Sequence, residues 1–204
     1  MESPDSYRTV AGISHGLYKE KGSKFLSVAA TVSSEAGVKA ILDDIRKEHN
    51  GARHHCYAFR TGDRGETWKV NDDGEPPGTA GRPILGQIRS FGITNTLVVV
   101  SRYFGGTLLG VSGLINAYKS SAMSALAAAD IIDHIIMQTI EIRYPYRVMN
   151  DVMRVLKDES IIQSDHSFEM ECFIKIRFRA SSADSIKSRL SRIEGLTWQF
   201  LSQG

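Results

Sequence analysis

The sequence predicts an α+β chain of two domains, and three patterns carry that prediction. Phe168, Met170, Cys172, Ile174, Ile176 and Phe178 alternate with Glu169, Glu171, Phe173, Lys175, Arg177 and Arg179, the period of two of a strand with one buried face. Val38, Ile41, Leu42 and Ile45 recur at the spacing of a helix that buries one stripe. From Leu97 to Tyr118 a hydrophobic strand runs into Arg102-Tyr103-Phe104, paired glycines and an alanine-rich helix. Strands and helices mix in both halves, which is the pattern of the α+β class.

In the first half, Phe25 to Val32 reads as a strand and Ser34 as the cap of the helix through Val38 and Ile45. His54 to Phe59 and Glu66 to Val70 read as a hairpin around Thr61-Gly62-Asp63. A polar turn follows, then a helix from about Thr79 or Pro83 to Ser90, the strand Thr96 to Ser101, the glycine loop and the helix Leu114 to Ala128. The expected arrangement has the helices on one side of the strands. Ala117, Ala122 and Ala125 would let the last helix lie close against the sheet.

The domain junction is expected where the alanine-rich helix gives way to Asp130-Ile131-Ile132-Asp133-His134, giving domains 1–131 and 132–204. The second half predicts a strand near Ile136 to Arg143 and a helix bearing Val148, Val152, Val155 and Leu156. A short strand at Ile161-Ile162 and the alternating strand from Phe168 come next. A helix through Ile186, Leu190 and Ile193, stopped by Gly195, and a last strand Thr197 to Leu201 complete it. The order βαββαβ is that of a ferredoxin-like domain, an architecture that by itself assigns no chemistry.

Composition narrows the functional classes. With 25 Lys and Arg against 23 Asp and Glu, the net charge of +2 is too small to imply nucleic-acid binding on its own, although a local arginine patch can supply it. No apolar run approaches the ~20 residues of a membrane span, and the start Met1-Glu2-Ser3-Pro4-Asp5 lacks the build of a signal peptide, so a cytoplasmic location is expected. Cys56 and Cys172 are too few for a disulfide framework or a cysteine zinc site. No cofactor is expected, and the oligomeric state is open.

Three segments hold most of the candidate site residues. Arg53-His54-His55-Cys56 opens a strand, so His54 and Cys56 share one face and His55 and Tyr57 the other. That arrangement suits neither a metal, for which no ligand spacing appears, nor an activated Cys56 nucleophile, and an inward Cys56 packing as a small hydrophobe is expected. The loop Asn71-Asp72-Asp73-Gly74-Glu75-Pro76-Pro77-Gly78-Thr79 groups acids able to order turns, receive arginines or hold a cation. The calcium-loop spacing is missing. Gly105-Gly106-Thr107-Leu108-Leu109-Gly110-Val111-Ser112-Gly113 matches neither the dinucleotide nor the phosphate-loop pattern. It places bare backbone where a strand hands over to a helix, and the free N–H groups of such a helix end attract anions. Tight packing of the following helix explains the same glycines.

The motifs Ala52-Arg53-His54-His55-Cys56-x-Ala58, Asp72-Asp73-Gly74-Glu75-Pro76-x-Gly78-Thr79-Ala80-Gly81-x-Pro83 and Val98-Val99-Val100-x-Arg102-Tyr103-Phe104-Gly105-Gly106-x-Leu108-Leu109-Gly110, with Gly113-Leu114 and Ala117-Tyr118, closely resemble the IMPACT family and its bacterial branch. Glu20-Lys21-Gly22-Ser23-Lys24-Phe25 is similar to the family's opening motif. Ser112 stands where the family usually has glycine and Asn71 where serine is common. The resemblance implies a first domain folded like the second domain of ribosomal protein S5 and, in bacterial members, a ferredoxin-like second domain similar to the last domain of the translocating elongation factor. It also implies a role near translation. Eukaryotic relatives act there by protein contacts with the activator of a stress kinase, a pathway that bacteria lack.

The expectation is therefore a non-enzymatic, translation-associated regulator that binds RNA or a ribosome-associated protein in an anion-binding groove. Lys24, Arg53, His54, Arg82, Arg102, Tyr103, Gly105, Gly106, Gly110 and Gly113 are the candidates for that groove. Arg53, Arg82 and Arg102 would take phosphates and Tyr103 or His54 would stack. Asp72, Asp73, Glu75 and Thr79 would order the loop or a bound cation. The second domain would dock through Lys175, Arg177 and Arg179. Two alternatives stand beside it: a magnesium-dependent phosphotransfer enzyme acting on a small molecule or nucleotide, and a protein-interaction module only.

Overall fold

A computed structural model describes residues 5–157, 161–168 and 171–201. The chain divides into two compact units, residues 7–134 and residues 135 onward together with Asp5 and Ser6. In chain order the first unit carries β1 (Ser6–Val10), β2 (Ile13–Glu20), β3 (Ser23–Thr31), α1 (Glu35–Glu48), β4 (His54–Thr61), β5 (Thr67–Asn71), α2 (Gly81–Ser90), β6 (Thr96–Tyr103), α3 (Gly110–Ala127) and β7 (Ile131–Ile135). Five strands form an antiparallel sheet in the order β2-β3-β6-β4-β5, and β1 pairs with β7.

The helices lie on both faces of the five-stranded sheet, not on one. Leu97 and Val99 of β6 join Tyr57 and Phe59 of β4 against Val38, Leu42 and Ile45 of α1. Val98 and Val100 join Cys56 and Ala58 against Ile84 and Ile88 of α2 and Leu114, Ala117 and Tyr118 of α3. The reason lies in β6, which is buried from Thr96 through Arg102 and so has apolar side chains on both faces to cover. Ser34 caps α1 by accepting from the Gly37 N–H at 3.2 Å. α3 lies close to β2: a Cβ added to Gly16 would meet the Ala125 nitrogen at 2.3 Å. Strands β1, β2 and β7 escaped the sequence reading, because their polar residues and the glycine in β2 blur the strand period.

The second unit runs β8 (Met137–Pro145), α4 (Met149–Lys157), β9 (Ile162–Phe168), β10 (Glu171–Arg179), α5 (Ala183–Leu190) and β11 (Thr197–Leu201). Its antiparallel sheet has the order β11-β8-β10-β9. Ile140, Ile142 and Tyr144 from β8 and Cys172, Ile174, Ile176 and Phe178 from β10 meet Val152, Val155 and Leu156 of α4 and Ile186 and Leu190 of α5 in one core. The alternating run expected as a single strand is divided: Phe168 ends β9 and β10 begins at Glu171, while Glu169 and Met170 lie outside the described residues. The short strand expected at Ile161-Ile162 is the seven-residue β9. Gln163 to Ser167 are polar because β9 is an edge strand.

Two adjacent glycines after β6 do different jobs. A Cβ on Gly105 would fall 1.9 Å from the Gly22 carbonyl carbon and 2.2 Å from the Ser23 nitrogen, so the β6–α3 loop packs directly on the β2–β3 turn. Gly106 has open space around it but a φ of +86°. Gly105→Ala is expected to lose about 3 kcal/mol in urea unfolding through overpacking, and Gly106→Ala about 1 kcal/mol through left-handed strain. Equal losses would contradict this division.

Candidate functional site

The head of α3 opens onto a cleft of about 390 Å³. Its apolar walls are Pro76, Phe104, Leu108, Leu109, Val111 and Leu114, and its polar groups come from Arg53, His54, Glu75 and Arg102, with Gly110 at the helix end. Strand register explains the convergence. Arg102 of β6 stands opposite Phe25 on β3 and opposite His54 on β4, so the three side chains share the face that carries α3. The Arg102 guanidinium lies 5.4 Å from the Phe25 ring centroid and 5.6 Å from that of Phe104.

Glu75 reaches this face because its loop is held from several sides. Asp72 accepts backbone N–H bonds from Gly78 at 2.8 Å, Ala80 at 3.0 Å and Gly81 at 2.8 Å. Burial opposes ionisation of Asp72, but these three donors and the charge of Arg82 prevail and hold its carboxyl below the ordinary range. Asp73 accepts from the His55 N–H at 2.7 Å and lies 3.7 Å from Arg46. Thr79, itself buried, donates to the Pro76 carbonyl at 2.7 Å. Positive φ at Asp73 (+42°) and Gly74 (+86°) then turns the chain so that Glu75 points inward.

The Glu75 carboxylate is the hub. Its Oε1 accepts from Arg102 Nη1 at 2.6 Å and from the Tyr118 hydroxyl at 2.8 Å, and His54 Nε2 lies 4.0 Å away. The side chains of Arg102 and Glu75 are 7% and 4% exposed, so this ion pair is out of reach of solvent screening. Arg102 Nε has no hydrogen-bond partner among the described residues. The Cys56 sulfur lies 3.3 Å from the Tyr118 oxygen and 3.0 Å from the Asp72 carbonyl. Burial pushes both the Cys56 thiol and the Tyr118 phenol well above their ordinary values. Both are therefore held in their neutral forms near neutral pH. His54 Nδ1 lies 2.8 Å from the Asp73 carbonyl. On the opposite face His55 bonds Ser101 at 2.9 Å, and burial, opposed by Asp73, keeps its pKa below the ordinary histidine value.

The structure brings Arg53, His54, Arg102, Glu75 and Gly110 together in the cleft. Arg53 is exposed, while Arg102 is buried. Tyr103 follows Arg102 on the strand and therefore faces the α1 side, where its hydroxyl meets His49 Nδ1 at 3.2 Å. Lys24 is exposed opposite Tyr103 on that same side. Arg82 is exposed on the first turn of α2 and acts on Asp72. Asp72, Asp73 and Thr79 shape the loop rather than line the cleft. Gly105 packs on the β2–β3 turn, Gly106 follows it with a left-handed φ, and a Cβ on Gly113 would meet Leu109 Cβ at 3.0 Å.

Sequence reasoning missed Phe104, Leu108, Val111 and Leu114 as walls, and Tyr118 as a polar partner. The spacing of Leu114 and Tyr118, four apart on one helix face, was a signal for the second. The Leu109 side chain makes no capping bond, so the first turn of α3 presents its N–H groups uncapped by a side chain. Among the described residues no group of three or more His, Cys, Asp and Glu side chains is arranged to hold a metal, and no helix is long and apolar enough to cross a membrane. In the second unit Lys175 pairs with Asp165 at 2.9 Å, which raises its pKa, and Arg177 and Arg179 are exposed.

Comparison with known proteins gives four findings. Residues 21–126 match the Impact N-terminal domain family. The IMPACT family member YvyE of Bacillus subtilis is 32% identical over 176 residues, spanning 83% of this chain and 80% of its own. The IMPACT family member YigZ of Escherichia coli is 33% identical over 167 residues, spanning 80% of each. A crystal structure of a hypothetical protein superposes with a TM-score of 0.71 at 25% identity, covering 99% of this chain and 100% of that one.

Removing one member of a buried ion pair strands the other. Glu75→Ala is expected to cost about 3–5 kcal/mol in urea unfolding, because Arg102 stays buried without its counter-charge. The double variant Glu75→Ala/Arg102→Met is expected to recover part of that loss. Strictly additive costs would show that the two residues are not coupled.

Proposed function

Because the chain belongs to the IMPACT family, we propose that it is a translation-associated binding protein of the cytoplasm that takes an anionic partner, RNA or a ribosome-associated protein, into the cleft at the head of α3. The observation that carries this reading is the cleft's composition. Exposed Arg53 at the mouth, buried Arg102 within and the uncapped first turn of α3 surround one opening. Glu75 is the one carboxylate among its lining residues, and that charge is already matched by Arg102. Such a set of donors favours negative charge.

In this reading Arg53 contacts phosphate, Arg102 holds the floor of the cleft and His54 offers a ring nitrogen, while Asp72, Asp73 and Thr79 keep the loop in shape. Tyr103, facing the other way, has no part in stacking. The antiparallel order β11-β8-β10-β9 with βαββαβ connectivity supports a ferredoxin-like second domain. The antiparallel five-stranded sheet of the first unit, with the family match over residues 21–126, supports a domain like the second domain of ribosomal protein S5. Exposed Arg177 and Arg179 then serve as a secondary docking surface.

Filter binding of structured RNA over a salt series tests the reading. Affinity should fall steeply with salt, and Arg53→Ala should weaken binding by about 1–3 kcal/mol and lower the salt slope by about one. Saturable stabilisation by magnesium nucleotide with no salt-dependent RNA binding would instead indicate phosphotransfer chemistry and contradict the proposal.

A further inference from the structure

We propose that the cleft takes one unstacked nucleotide of a single-stranded RNA, with the base against Phe104 and the phosphate at Arg53 and the first turn of α3. The inference rests on the RNA reading above and specifies what the site recognises.

Phosphate recognition alone leaves the walls unexplained. A phosphate needs donors and water, yet the lining is dominated by aliphatic and aromatic side chains. Phe104 and Val111 are 43% and 61% exposed, a cost that burial of a ligand would remove. The Phe104 ring has the Arg102 guanidinium 5.6 Å from its centroid, so it forms a cation-backed aromatic plate. Stacking of a base on such a plate is the common way that unpaired bases are held. A volume of about 390 Å³ lies at the small end of ligand sites. It suits one nucleotide and is far too narrow for a duplex.

The polar groups match a base edge better than a simple anion. A carbonyl can only accept, so the 2.8 Å contact between His54 and Asp73 requires the proton on His54 Nδ1. Nε2, the other ring nitrogen, belongs to a residue that lines the cleft and lies 4.0 Å from Glu75 Oε1. Arg102 lines the same cleft and is only 6% exposed. A ring nitrogen and a guanidinium beside an aromatic plate answer to the polar edge of a nucleobase. An apolar peptide tail would use the walls and the arginines but would not call for a planar partner on Phe104.

The test uses the full chain and a short single-stranded RNA carrying 2-aminopurine, whose emission is quenched on stacking, beside a blunt duplex of the same sequence. The single strand is expected to bind about tenfold more tightly than the duplex, with quenching on binding. Phe104→Leu, which keeps an apolar wall, should abolish the quenching and cut single-strand affinity about tenfold while the circular dichroism spectrum is unchanged. Equal binding of both RNAs without quenching would overturn the nucleotide site and leave the RNA reading standing. No RNA binding at all would overturn both. Displacement of the RNA by a short peptide ending in leucine, with no dependence on the base, would reassign the cleft to protein recognition.

Discussion

Everything at the candidate site depends on the buried ion pair between Glu75 and Arg102. A carboxylate and a guanidinium removed from water are costly, and they persist only where their geometry is good and their remaining polar atoms are answered. Glu75 meets that condition through Arg102 and Tyr118 on a single oxygen. The pair joins a loop, a central strand and α3, elements far apart in sequence. It therefore fixes the floor of the cleft in place. Arg102 meets the condition only in part, since its buried Nε has no partner among the described residues.

The loop that delivers Glu75 shows why three acids stand so close together. Asp72 collects three backbone donors and Asp73 a fourth, so each replaces hydrogen bonds that an irregular segment would otherwise take from water. Glu75 alone turns inward. A cation site would have used the same residues with their oxygens converging on one point; here they diverge to separate partners. Cys56 and Tyr118 complete the buried network as neutral groups, which leaves the pair as the main charge on that face.

Much of this was legible in the residues. Strict alternation over Cys172 to Phe178 marked the inner face of β10, the helical spacing of Val38, Leu42 and Ile45 marked α1, and the placement of His54 and Cys56 on one face followed from strand geometry alone. The cleft was less so. Arg102 and Tyr103 are adjacent in sequence, but a strand sends adjacent side chains to opposite faces. Phe104, Leu108 and Val111 resembled ordinary hydrophobics, because sequence does not tell an apolar residue at the rim of a cleft from one in a core. Lys24 and Arg82 were drawn in by charge, while their positions depend on which strands pair, a non-local fact. Both faces of the sheet carry helices because β6 is apolar from Leu97 to Val100, a run that periodicity alone assigns to neither face.

Backbone amide NMR during titration with a short single-stranded RNA locates the bound partner relative to the cleft framed by the Glu75–Arg102 pair. Saturating shift changes are expected at His54, Phe104 and the first-turn amides Val111, Ser112 and Gly113, with α1 and the strand face carrying Tyr103 unaffected. Changes confined to the Tyr103 side, or saturating changes that bypass the head of α3, would contradict binding in the cleft.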